Sequence, residues 1–121
     1  MTVQSYKDLN VWQAAMNLVT DVYRQTESFP KHELFGLVSQ IRRCAVSIPS
    51  NVAEGSRRGT RKDFRHFVLI AYGSGAELET QLEVAKRLGY ISNEFHVGLE
   101  QKLTDIMRML NGLTRSLDEQ S

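Results

Sequence analysis

A single cysteine, two prolines and one tryptophan occur in the 121 residues. With Cys44 alone there is no internal disulfide to form, which accords with a reducing, cytoplasmic compartment. Pro30 and Pro49 are too few for an all-β domain assembled around many turns. No apolar run approaches the ~18 residues needed to cross a bilayer, so no membrane partner is expected. The first eight residues, Met1 to Asp8, are polar and lack the apolar centre of a signal peptide. What is present is ordinary: 41% hydrophobic and 24% charged residues exclude a disordered chain. The length suits one domain spanning residues 1–121.

Charge of one sign is scarce only on average. The formal net charge is +1, but Arg42, Arg43, Arg57, Arg58, Arg61, Lys62 and Arg65 share their segment with only two acids, Glu54 and Asp63. That segment carries +5 and the remainder −4. A local basic patch attracts polyanions even on a nearly neutral protein.

Apolar residues recur at helical spacing in four segments. The first carries two adjacent stripes, Leu9-Trp12-Met16-Val19-Tyr23 and Val11-Ala15-Leu18-Val22, and ends near Ser28-Phe29-Pro30. One bundle core needs one stripe, so Val11, Ala15, Leu18 and Val22 are expected at an oligomer interface. The second runs Leu34, Leu37, Ile41, Cys44, Ile48, Val52, with a kink expected at Pro49 because proline removes a backbone hydrogen bond. The third, capped by Thr60, runs Phe64, Val68, Ala71, Gly75, Leu78, Leu82, Ala85, and stops where Gly89 takes the left-handed position. Gly73 and Gly75 within it imply close approach of another backbone. The fourth runs Leu99, Leu103, Ile106, Leu110, Leu113, Leu117, a regular heptad seam. Helices over about residues 8–28, 33–55, 61–88 and 93–117, joined by short connections, predict an all-α, antiparallel up-down-up-down four-helix bundle. The last residues, from Asp118, are expected to fray.

Several ordered motifs mark a resemblance. They are Tyr6-Lys7-Asp8-Leu9-Asn10-Val11-Trp12, Phe29-Pro30-Lys31-His32-Glu33 with Gly36-Leu37, Gln40-Ile41-Arg42-Arg43, Ser47-Ile48-Pro49-Ser50-Asn51-Val52-Ala53-Glu54-Gly55, the stretch from Ala71 to Leu82, and Gly89-Tyr90-Ile91. Together they resemble a bacterial four-helix-bundle family first noticed as reading frames within intervening sequences of 23S ribosomal RNA genes. His32 departs from the acidic residue common there. The resemblance implies a bundle that assembles into a ring-like homopentamer, and it implies no known reaction. A distant relative, the accessory protein of diversity-generating retroelements, shares the fold and a basic surface and binds nucleic acid and a reverse transcriptase. That analogy is at the level of fold.

Catalytic, metal and cofactor residues are not expected. His32, His66 and His96 lie on three segments, and the Glu-x-x-His pairs of bundle metal sites do not occur. Glu77, Glu79 and Glu83 read as a solvated acidic face, and Cys44 as a small buried hydrophobe. Near Pro49, Ser47, Ser50 or Asn51 should satisfy freed carbonyls, and Glu54 should pair with Arg57 or Arg58. The candidate nucleic-acid contacts are Arg57, Arg58, Arg61, Lys62 and Arg65 around one turn, with Arg42 and Arg43 about 22 Å along the second helix. No aromatic interleaves residues 57–62, and no RNA-binding signature occurs. The sequence therefore reads as a non-enzymatic, homo-oligomeric scaffold without cofactors. Its basic rim contacts RNA or DNA, or a nucleic-acid-handling protein. The alternative is a purely structural or protein-interaction module whose arginines serve assembly.

Overall fold

The computed structural model describes residues 5–118. Within them the helices are α1 (Asn10–Thr26), α2 (Leu37–Ser56), α3 (Arg61–Arg87) and α4 (Asn93–Asp118), with short 3-10 turns at Tyr6–Asp8 and Lys31–Glu33. There is no strand among the described residues. Of the residues expected to fray from Asp118 on, Asp118 is the last residue of α4, and the others fall outside the described residues. Each helix packs on its neighbour in sequence, and α1 closes the bundle against α4. Contacts run in reversed chain order: Ser47 meets Ser74 and Gly55 meets Phe67 between α2 and α3. Between α3 and α4, Glu83 meets His96 and Arg61 meets Ser116.

The heptad seam of α4 is interior, with Leu99, Leu103, Ile106 and Leu110 at 5% exposure or less. The stripes of α2 and α3 meet it: Ile41, Ile48, Val52, Val68, Ala71 and Leu78 are wholly covered. Burial of such side chains contributes about 1.5–3 kcal/mol each relative to exposure. On α1 the expected roles of the two stripes are reversed. Val11, Ala15, Leu18 and Val22 are 5%, 1%, 1% and 0% exposed within one chain, so they form core and have no surface left for another subunit. The surplus stripe is the other one, with Met16 and Tyr23 exposed and Leu9, Trp12 and Val19 partly covered. Both stripes have helical period, and only the position of α2 and α4 decides which of them turns inward.

The second helix begins at Leu37, four residues after the expected start at residue 33. Lys31–Glu33 is a separate 3-10 turn, and Gly36 (φ −110°, ψ −108°) breaks it from α2. Glu33 then serves both ends of the break. Its Oε1 accepts from the Leu37 amide at 3.2 Å, supplying an orphan N–H of the first turn of α2. Its Oε2 accepts from the Tyr90 hydroxyl at 2.9 Å, tying this connection to the one between α3 and α4. Tyr90 also packs on Phe29, ring centroids 5.4 Å apart. Leu34, expected on the core stripe, lies in the connection and is exposed, as is Phe35 at 92%.

Helix α2 runs unbroken through Pro49. The side chains nearby satisfy one another: Asn51 Nδ2 donates to the Ser47 carbonyl at 2.8 Å and to its hydroxyl at 2.9 Å, and Ser47 shares a 2.8 Å hydrogen bond with Ser74 of α3. Glu54 pairs with Arg58 at 2.7 Å. The polar residues around the proline therefore knit α2 to itself and to α3.

Candidate nucleic-acid interface

The turn between α2 and α3 is only four residues, Arg57 to Thr60, and its brevity concentrates the cations. Arg57 and Arg58 donate their amides back to Glu54 and Gly55 carbonyls, at 3.1 and 3.2 Å, closing α2. Gly59 has φ +96°, a conformation that L side chains rarely adopt. Thr60 then caps α3, its hydroxyl accepting from the Asp63 amide at 3.1 Å. Arg57 and Arg58 thus end one helix while Arg61, Lys62 and Arg65 open the next.

Each of these cations has a distinct setting. The Arg57 guanidinium lies 5.3 Å from the Tyr6 ring and that of Arg58 4.8 Å from Phe67. Both remain exposed. Arg61 donates to the Ser116 carbonyl at 2.5 Å, binding the last turn of α4 to the first turn of α3. Arg65 Nε is 3.5 Å from Asp118 Oδ1. Lys62 is exposed and enters no ion pair among the described residues. Between α3 and α4 a cleft of about 550 Å³ opens, lined by Arg61, Lys62, Arg65, His66, Leu117 and Asp118. The positive end of the α3 dipole and the negative end of the α4 dipole meet here and offset one another. The charge of the cleft therefore rests on side chains, and among the described residues Asp118 is the single acid facing three permanent cations.

Arg42 does not belong to this surface. Its Nε donates to Thr26 Oγ1 at 2.9 Å, another nitrogen donates to the Tyr23 carbonyl at 3.2 Å, and its guanidinium stacks 4.4 Å from the Tyr23 ring. It caps the last turn of α1, where carbonyls lack helical partners, and those bonds engage two of its five N–H donors. Arg43 is exposed at the same far end of α2, beside Phe35 and Ser39. His66 and Asp118 are the cleft residues that sequence reasoning missed. The i, i+4 pair Lys62-His66 signals the first. The second follows only from the meeting of the α4 end with the α3 start.

Other chemistry-bearing residues are dispersed. Among the described residues no group of three or more His, Cys, Asp or Glu side chains is placed to hold a metal ion. Cys44 is buried, and burial pushes its thiol above the ordinary cysteine range, keeping it protonated and unreactive. His96 is covered on α4, its Nε2 3.6 Å from Glu83 Oε1. Glu83 is held below the ordinary carboxylate range chiefly by its 2.9 Å bond from Arg87. No helix of the described residues is long and apolar enough to cross a membrane.

The family described as 23S rRNA-intervening sequence protein matches residues 7–112. Among solved structures, the chain is similar to a protein of unknown function from the S23 ribosomal protein family of Bacteroides thetaiotaomicron. The identity is 24%, over 87% of this chain and 95% of that one, with a TM-score of 0.80. At that identity the likeness bears on the fold. No curated protein matches.

Proposed function

Because the chain belongs to the family of 23S rRNA-intervening sequence proteins, we propose that it is a non-enzymatic, homo-oligomeric helical scaffold, pentameric as the resemblance implies. Its basic end contacts the phosphates of RNA or DNA. The observation that carries this reading is the crowding of Arg57, Arg58, Arg61, Lys62 and Arg65 around one four-residue turn and the adjoining cleft. Ion pairing consumes little of that charge. The Arg58–Glu54 pair is an exposed contact, and such pairs are worth about 0–1 kcal/mol; the Arg65–Asp118 contact is long, at 3.5 Å, with the carboxylate exposed, so phosphates can exchange with the carboxylates. In a cyclic oligomer, symmetry repeats the patch on one side of the ring. Linked weak contacts then gain avidity of ~100-fold or more.

Fluorescence anisotropy with a labelled single-stranded oligonucleotide across a salt series tests the reading. Each contacted phosphate adds about 0.7 to the logarithmic salt slope. Replacing Arg57, Lys62 and Arg65 together by Gln leaves the Arg61–Ser116 anchor intact and should weaken binding and flatten the slope. Absence of binding by the wild type at ~50 mM salt, or equal binding by the triple variant, sinks it. A second reading, a protein-interaction module, is favoured by one observation: an apolar groove between α1 and α2, lined by Trp12, Met16, Val19, Val46, Pro49 and Ala53. A partner seated there would bind with weak salt dependence and without regard to the triple substitution.

A further inference from the structure

The cleft between α3 and α4 holds its own counter-anion. Asp118, in the last turn of α4, faces Arg65, and among the described residues it is the single acid beside Arg61, Lys62, Arg65 and His66. Its fit is poor. Oδ1 stands 3.5 Å from Arg65 Nε, and that Nε is covered from solvent with no hydrogen-bond partner among the described residues. A covered donor left without an acceptor carries a desolvation cost that no bond recovers. Arg61 is fixed by its bond to the Ser116 carbonyl, so its position in the cleft wall does not depend on a ligand. The arrangement is a preformed cationic wall with one ill-fitting carboxylate in front of it.

We propose that this cleft is the seat of a single phosphate group of a nucleic acid and that Asp118 is its built-in competitor. A phosphate presents tetrahedral oxygens and at least one full negative charge. It therefore satisfies the Arg65 donor and the neighbouring Lys62 and His66 at once, where one carboxylate reaches only Arg65. Binding requires the Asp118 side chain to swing out, a rotation open to it because the side chain is 70% exposed. Affinity is then lowered by the displacement of Asp118, and any change that removes its charge raises affinity. The site takes either a backbone phosphodiester or a terminal phosphate, and the two are distinguished by experiment. The inference rests on the nucleic-acid reading above and specifies its central contact.

The test is anisotropy with a labelled single-stranded oligonucleotide, with and without a 5′-phosphate, at low salt. The proteins are the wild type, Asp118→Asn and Asp105→Asn, in full-length chain. Asp105 is an exposed acid of α4 paired with Arg108, outside the cleft, so it controls for net charge. Removing a carboxylate whose contact with a cation ~4 Å away must be broken for the anion to bind changes affinity by about fivefold in water-like surroundings. Asp118→Asn should therefore bind about fivefold tighter than wild type and Asp105→Asn should match wild type. A larger gain for the 5′-phosphorylated strand assigns the seat to a terminal phosphate, and an equal gain assigns it to the backbone. Wild-type binding that Asp118→Asn leaves unchanged, or that both substitutions raise equally, overturns the competitor while the basic-end reading stands. No binding by any of the three proteins overturns both. Thermal melts of each variant confirm that affinities are compared on folded protein.

Discussion

Three glycines in similar sequence surroundings meet three different environments. At Gly55 an added methyl would lie 2.7 Å from Phe67 Cβ and 3.2 Å from the Phe64 carbonyl oxygen. Those atoms belong to backbone or lie next to it, so they cannot yield, and Gly55 is what lets the last turn of α2 press against α3. At Gly75 the methyl would overlap the thioether of Met107 on α4, so the close neighbour is a flexible side chain, not a backbone as the sequence suggested. At Gly73 nothing lies within 4 Å, and its small size answers to no neighbour. Gly55→Ala should therefore destabilise the chain by about 1–3 kcal/mol, the usual range for overpacking. Gly75→Leu should also destabilise it, while Gly73→Ala should stabilise it by about 0.5–1 kcal/mol through helix propensity. Thermal or urea unfolding of the three variants checks the order, and a neutral Gly55→Ala would refute the account of the α2–α3 contact.

The two connections at the far end of the bundle behave as one element because Glu33 and Tyr90 join them. The bond from Tyr90, then that from the Leu37 amide, holds the Glu33 carboxyl below its ordinary value of 4.5. The same contact pushes the Tyr90 phenol up. For a carboxyl whose folded pKa is depressed, the stabilisation is fully present above the unfolded pKa and is lost as pH falls through the folded value. Melting temperature should therefore decline on acidification from about pH 5 downward, with Glu33 contributing to the slope. Glu33→Gln should melt lower at neutral pH and lose its part of that slope. Tyr90→Phe keeps the packing on Phe29 and should show the same direction with a smaller loss. Identical acid profiles for wild type and Glu33→Gln would show that the pin carries no stability.

At the scale of the molecule, the apolar surface left uncovered is unevenly placed. Phe35 is 92% exposed and Leu34 47%, and the groove between α1 and α2 is lined by Trp12, Met16 and Val19. Phe35 and Leu34 lie with Tyr23 and Arg43 in a separate depression, and exposed apolar patches of this kind mark interaction surfaces. With Val11, Ala15, Leu18 and Val22 committed to the core, the oligomer proposed above would bury this apolar surface instead. Sedimentation should give a species several times the 13.8 kDa of the chain at micromolar concentration. Phe35→Asp should shift it toward monomer, with a loss of about 2 kcal/mol or more per contact if Phe35 anchors the interface. A wild-type monomer would remove the ring and with it the avidity invoked for the basic end.

Periodicity alone determined the number, order and approximate length of the helices. The caps followed from single residues: Thr60 opens α3, and Gly89, at φ +79°, closes it. These are local matters, set by the spacing of apolar side chains and by backbone sterics within a few residues. The crowding of cations near residues 57–65 was also legible, because a short turn keeps sequence neighbours together in space. Only the tertiary structure decided which α1 stripe is core, since two adjacent stripes have equal claim until α2 and α4 are placed against one of them. It removed Arg42 from the candidate site by bringing it onto Thr26 and Tyr23, sixteen and nineteen residues away. It also set Asp118 before Arg65 and Tyr90 before Glu33, pairs separated by most of a helix hairpin or more. Such pairs leave no periodic trace, because their partners share neither a turn nor a face until the helices pack.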